Sequence, residues 1–186
     1  MQLIKGGRIV EDGFVRVADD APVPDRVPVI VSAARFLADA ETFARREAPT
    51  GVVWPNDRRV AELAPHLDRL ALVALVFPTF KDGRAFSQAR LIRERYGFRG
   101  ELRATGQVLR DQFLFMLRAG FDAFEVTKDA DAAAFAEAAH RYSVFDQPTG
   151  DGRSTTRAGC AARVQIDSSV RGDCRTLTSF SPAFLS

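Results

Sequence analysis

Cysteine, histidine and tryptophan are scarce in this sequence: two, two and one residues in 186. Cys160 and Cys174 both fall in the last 27 positions, and no C-x-x-C is present. His66 and His140 lie far from each other and from the cysteines. No zinc, haem or iron–sulfur pattern can be assembled from this set, so the sequence names no metal and no cofactor. There is no G-x-G-x-x-G after a strand and no G-x-x-x-x-G-K-[ST] loop, which removes the simplest arguments for a nucleotide enzyme. Ser87 lacks a G-x-S-x-G elbow and a neighbouring histidine, which argues against a hydrolase triad. The longest apolar run, Leu70 to Phe77, is far too short to span a bilayer. The segment Met1-Gln2-Leu3-Ile4-Lys5 lacks the apolar stretch of a signal peptide, so the expected compartment is the cytoplasm.

A large field of one sign is also missing. Residues 1–150 hold 21 Lys+Arg and 21 Asp+Glu, and the formal net charge of +2 comes from the segment beyond them. Such a neutral body argues against a general nucleic-acid or membrane-surface binder, which needs a broad basic patch. Locally the balance shifts. Residues 81–118 carry nine basic against four acidic residues, and residues 119–150 carry two against six. Helices with complementary solvated faces would account for that contrast.

The chain has a mass of 20.5 kDa, is 46% hydrophobic and 27% charged. This is enough for a domain that folds without disulfides or a structural metal. Short β segments at Leu3-Ile4, Arg8 to Val10 and Phe14 to Val17 are separated by Gly6-Gly7 and Asp12-Gly13, which are hairpin turn signals. Strands are then expected to begin near residues 28, 51, 71, 101 and 121. Helices are expected over Ala33 to Arg46 (with a break near Asp39), Asp57 to Leu70, Phe86 to Tyr96, Val108 to Ala119 and Asp131 to His140. This alternation predicts an α/β fold: a mainly parallel sheet with flanking helices built from βα repeats, preceded by a small N-terminal hairpin or meander. An open doubly wound sheet is favoured over an incomplete barrel, because five parallel strands are too few for a closed one. Residues 1–153 read as one domain. Residues 154–186, rich in Ser, Thr and Arg without periodicity, read as an irregular tail.

In parallel α/β sheets ligands bind beyond the carboxyl ends of the strands. The exit of the strand ending at Phe77 carries Lys81, Asp82, Arg84 and Ser87. The exit of the strand ending at Ala104 carries Thr105 and then Arg110, Asp111 and Gln112. If the two strands are neighbours, these groups would surround one crevice suited to phosphate, sulfate, sulfite or carboxylate. An ordinary polar turn and surface ion pairs would use the same residues. Glu101 and Arg103 share one face of their strand by alternation. Two charges there mean an edge position or a buried, functional pair.

Between Leu70 and Phe124 stand the strings Leu75-Val76-Phe77-Pro78, Asp82-Gly83-Arg84, Ser87-Gln88-Ala89-Arg90, Gly100-Glu101-Leu102-Arg103-Ala104, Val108-Leu109-Arg110-Asp111-Gln112 and Gly120-Phe121-Asp122-Ala123-Phe124. In this order and spacing they resemble the proteobacterial domain of unknown function 934 family. Leu3-Ile4-Lys5-Gly6-Gly7-Arg8 and Gln147-Pro148 fit as well, so the similarity covers about residues 1–153. The resemblance implies a link to assimilatory sulfate and sulfite reduction, as an oxidoreductase or as an accessory protein. Sulfite reductase, or another enzyme of sulfate assimilation, would be its partner. It carries over no catalytic residue. The sequence departs from the family where Ala85-Phe86 replaces Gly-Tyr before Ser87, where Ala119 replaces a cysteine, and beyond Arg153, where members usually end. Ala119 excludes a thiol mechanism at that position. The alternative reading is a small-molecule enzyme holding an anionic substrate at the arginine-lined strand edge, with the Arg84, Arg103 and Arg110 side chains in one pocket.

Overall fold

The computed structural model describes residues 2–126, 133–135 and 137; the segment 154–186, both cysteines, His140 and Gln147-Pro148 lie outside them. The strands are β1 (Gln2–Lys5), β2 (Arg8–Val10), β3 (Val15–Arg16), β4 (Val29–Ser32), β5 (Thr50–Trp54), β6 (Leu72–Phe77), β7 (Glu101–Gly106) and β8 (Ala123–Val126). They form one sheet in the order β2-β1-β8-β7-β6-β5-β4-β3. From β3 to β8 every pairing is parallel, whereas β1 runs antiparallel to both β8 and β2.

The hairpin forms where the sequence marks it. Gly6 and Gly7 both take positive φ, 59° and 77°, as a tight two-residue turn between right-twisted strands requires. The third β segment does not complete a meander. It is reduced to β3, which pairs with β4 at the opposite edge of the sheet. The chain between β2 and β3 therefore crosses a whole sheet face, with Phe14 packed against Ile30, Leu72 and Ala74.

The parallel strands stand in chain order, so there is no point where the winding reverses, and the doubly wound expectation is not met. The helices pack on one face. α1 (Ala33–Ala38), α2 (Ala40–Arg45), α3 (Arg84–Arg90) and α4 (Phe113–Ala119) contribute Phe36, Phe43, Ala89, Phe113 and Met116 to a single core. That core also holds Val31, Trp54, Leu75, Leu102 and Phe124 from the sheet. The other face curls inward. In a flat sheet β3 and β8 would stand about 24 Å apart, five steps of about 4.8 Å. Instead Arg16 of β3 reaches Glu125 of β8 at 2.5 Å.

The helices are shorter and more irregular than periodicity predicts. Asp39 separates α1 from α2, as expected, and the Ser32 hydroxyl caps α1 by accepting from the Arg35 N–H at 3.2 Å. The expected helix over Asp57 to Leu70 is replaced by two tight three-residue-per-turn segments, Val60–Glu62 and Ala64–Arg69. Pro65 has no N–H to continue an α-helix from the preceding turn. The apolar stripe Val60, Leu63 and Leu67 is nonetheless buried. α3 widens into a π-helical turn at Leu91–Arg95 before Gly97, and α4 is preceded by a tight turn at Arg110–Gln112. Of the alanine-rich segment, residues 133–135 and 137 are helical, and Phe135 packs on Phe113 and Phe124. Among the described residues no helix is long and apolar enough to cross a membrane.

Candidate anion-binding cleft

Parallel pairing puts the carboxyl ends of β5 and β6 side by side, with Trp54 opposite Leu75. The chain leaves β5 through Pro55-Asn56-Asp57-Arg58-Arg59 and leaves β6 toward α3. Positions 84, 87, 88, 91 and 95 recur at helical spacing, so they share one side of α3 and its π-helical extension. That side faces the β5 exit across a cleft of about 410 Å³. Asn56, Arg58 and Arg59 line one wall; Arg84, Ser87, Gln88 and Arg95 line the other.

Gln88 ties the walls together. It is buried, and its Nε2 donates to the carbonyls of Pro55 at 3.1 Å and Arg58 at 2.9 Å. Its Oε1 is buried with no hydrogen-bond partner. The four arginines differ in how far their charge is met. Arg84 is held by Asp82, through Nε at 3.0 Å and a second nitrogen at 2.6 Å. The Arg84 guanidinium and backbone N–H hold the Asp82 carboxyl well below the usual carboxylate range, and Asp82 in turn raises the Arg84 pKa. Arg58 lies over the Trp54 ring and 3.8 Å from Glu62. Arg59 has no carboxylate partner among the described residues, and Arg95 has none either, lying over Tyr96. Four guanidinium groups at one concave edge, two of them without a carboxylate partner among the described residues, attract an oxyanion and can grip it with paired N–H donors.

The sequence-predicted residues distribute differently. β6 and β7 are neighbours, and their exits do meet. Gln107 Oε1 accepts from the Phe80 N–H at 3.2 Å, and Gln112 Nε2 donates to the Phe80 carbonyl at 3.1 Å. Amides, not guanidiniums, make that contact. Lys81 lies over the Phe80 ring, while Arg110 and Asp111 are exposed and 3.8 Å apart. Arg84 and Ser87 line the cleft beside β5 instead. Arg103 and Thr105 project from the opposite face of the sheet, so Arg84, Arg103 and Arg110 do not share a pocket.

Nor is β7 an edge strand. Arg103 is 1% exposed between β6 and β8, and a buried ion network meets its charge. Asp12 accepts from it at 2.6 and 3.0 Å, Glu101 at 3.0 Å and Glu125 at 3.2 Å. Glu125 also accepts from Arg16 and, at 2.5 Å, from the Thr105 hydroxyl; Lys5 pairs with Glu101 at 2.9 Å. Burial works to raise the Asp12 and Glu125 pKa values. The Arg103 and Phe14 contacts at Asp12, and Thr105 and Arg16 at Glu125, outweigh it and lower both. Likewise burial opposes the charge on Arg103, but Asp12 and Glu101 raise its pKa. Every charge here has a partner, which marks a structural strap for the segment around Asp12. Among the described residues no group of three or more His, Cys, Asp or Glu is placed to hold a metal ion.

Sequence reasoning missed Asn56, Arg58, Arg59, Gln88 and Arg95 as site residues. The available signal was the Arg58-Arg59 pair directly after β5, together with the 84/88/95 spacing. Asp12, Arg16 and Glu125 had no local signal, because their meeting depends on the curl.

Fold and cleft together define a mostly parallel, curled α/β domain with an arginine-lined cleft at the carboxyl edge of its sheet. Residues 51–156 match the family described as "Bacterial protein of unknown function (DUF934)". That is more than half the chain, which therefore belongs to this family. The match contains both walls of the cleft but not Asp12 or Arg16. No curated protein and no solved structure matches the chain.

Proposed function

We propose that this protein binds a small oxyanion-bearing ligand between the β5 exit and α3, and that it serves sulfite reduction within sulfate assimilation. The observation that carries the binding reading is the convergence of Arg58, Arg59, Arg84 and Arg95 on one cleft. The ligand class is the one the sequence suggests, held beside β5 and not between the β6 and β7 exits. The link to sulfur metabolism is supported by the resemblance of the central strings. In that setting the protein acts as an accessory to sulfite reductase or as an oxidoreductase.

Calorimetric titration with sulfite, sulfate and phosphate tests the binding. Micromolar to millimolar affinity that weakens with salt and vanishes in an Arg59→Gln/Arg95→Gln variant is the expected result. Growth of a deletion strain on sulfate, sulfite, sulfide or cysteine as sole sulfur source tests the role. Growth on sulfide and cysteine with failure on sulfate and sulfite is expected. Normal growth on all four would remove the sulfur reading.

A further inference from the structure

We infer that the ligand of this cleft is an organic phosphate or sulfate ester with a hydroxyl-bearing body, not a free inorganic anion; this rests on the anion-binding reading above. Three observations converge. The first is size. A water molecule takes about 30 Å³ of liquid and a five-atom oxyanion roughly twice that, so an inorganic ion would leave most of the 410 Å³ to water. Pockets for organic ligands start at about 300 Å³.

The second is the Gln88 carboxamide. Its two hydrogen bonds to the Pro55 and Arg58 carbonyls both use Nε2, which fixes the orientation of the amide. Oε1 is left as a buried acceptor without a donor; sulfate, which has acceptors only, does not satisfy it, and hydrogenphosphate offers a single P–OH that competes with its grip on the arginines. A hydroxyl on a carbon body satisfies it without that competition. The third is the lining beyond the arginines. Val60, Ala61, Leu91 and Tyr96 give the cleft an apolar stretch that suits a carbon skeleton. The ester oxyanion then sits on Arg59 and Arg95, and a hydroxyl of the body donates to Gln88 Oε1.

The test is calorimetry with glucose 6-phosphate, glucose 6-sulfate, inorganic phosphate and inorganic sulfate. At least one ester is expected to bind tenfold or more tightly than its inorganic counterpart, and the two esters tell phosphate from sulfate. Gln88→Met removes the acceptor together with the two bonds that tie the walls, so it is expected to weaken both ligands, the ester roughly tenfold more than the inorganic ion. Should that variant melt well below the wild type, Leu91→Ser at a half-exposed position makes the same distinction. Arg59→Gln/Arg95→Gln abolishes both kinds of binding. Equal affinity for ester and inorganic ion overturns the inference and leaves the anion site standing, as does undiminished ester binding in both Gln88→Met and Leu91→Ser. No binding of any of the four compounds overturns both.

Discussion

Replacing Arg103 with methionine removes the charge at the centre of the concave face and keeps most of the apolar stem. Taking one partner from a buried ion pair costs about 3–5 kcal/mol, because the remaining charges stay buried without compensation. Here the loss is softened. Glu125 keeps Arg16 and Thr105, Glu101 keeps Lys5, and Asp12 is about one-third exposed to water. The lower end, about 3 kcal/mol, is therefore expected, a large part of the roughly 5–15 kcal/mol that holds a domain. For a chain of this size it corresponds to a fall in Tm of about 6–12 °C. The pH dependence follows from the carboxylates. The folded-state pKa values of Asp12 and Glu125 lie below their ordinary values of 3.8 and 4.5. Their contribution is thus fully present above the ordinary values and is lost as pH falls through the depressed ones. Without Arg103 much of that depression disappears. The gap between wild type and Arg103→Met is expected to be widest at pH 7 and to narrow below pH 4. Urea unfolding followed by circular dichroism at both pH values measures it. A gap under about 1 kcal/mol at pH 7, the range of an exposed pair, would refute the buried network. So would a gap of equal size at both pH values.

Gly106→Ala is expected to cost at least 1–3 kcal/mol in a thermal melt, since φ there is 94° and a Cβ would lie 2.5 Å from the Phe77 carbonyl oxygen. Asp82→Asn should leave stability nearly unchanged, because the Arg84 pair is solvated, yet strengthen phosphate binding by freeing Arg84; weaker binding in calorimetry would contradict the assignment of Arg84 to the cleft. Anion affinity should drop on raising salt from 50 to 300 mM and do so less steeply in Arg59→Gln, a comparison that calorimetry at three ionic strengths provides.

Much of this molecule is written locally. Leu72-Val73-Ala74-Leu75 reads as a strand covered on both sides, and it is buried on both. Gly6-Gly7 bends the hairpin, Gly97 and Gly120 end their helices with positive φ, and the family strings lie inside the matched segment. The alternation that places Glu101 with Arg103 also follows from short-range pattern, whereas the adjacency of β6 and β7 was a condition that only the sheet order met. Pro65 was legible too, although the strong 60/63/67 stripe masked its effect on the expected helix.

The sheet's closure was not legible. Period-two alternation says which residues share a face but not what covers that face. Whether Arg103 meets solvent or a carboxylate depends on β3 crossing to the far edge. That crossing depends in turn on a curl summed over six strands. Asp12 and Arg103 lie 91 positions apart, and Arg16 and Glu125 lie 109 apart, so no window of sequence contains either pair. The cleft shows the same division. The helical spacing of Arg84, Gln88 and Arg95 was present in the chain, but only the side-by-side order of β5 and β6 sets the Arg58-Arg59 loop opposite them. Residue type and local period decide which side chains are offered together; the order and curvature of the strands decide what they meet.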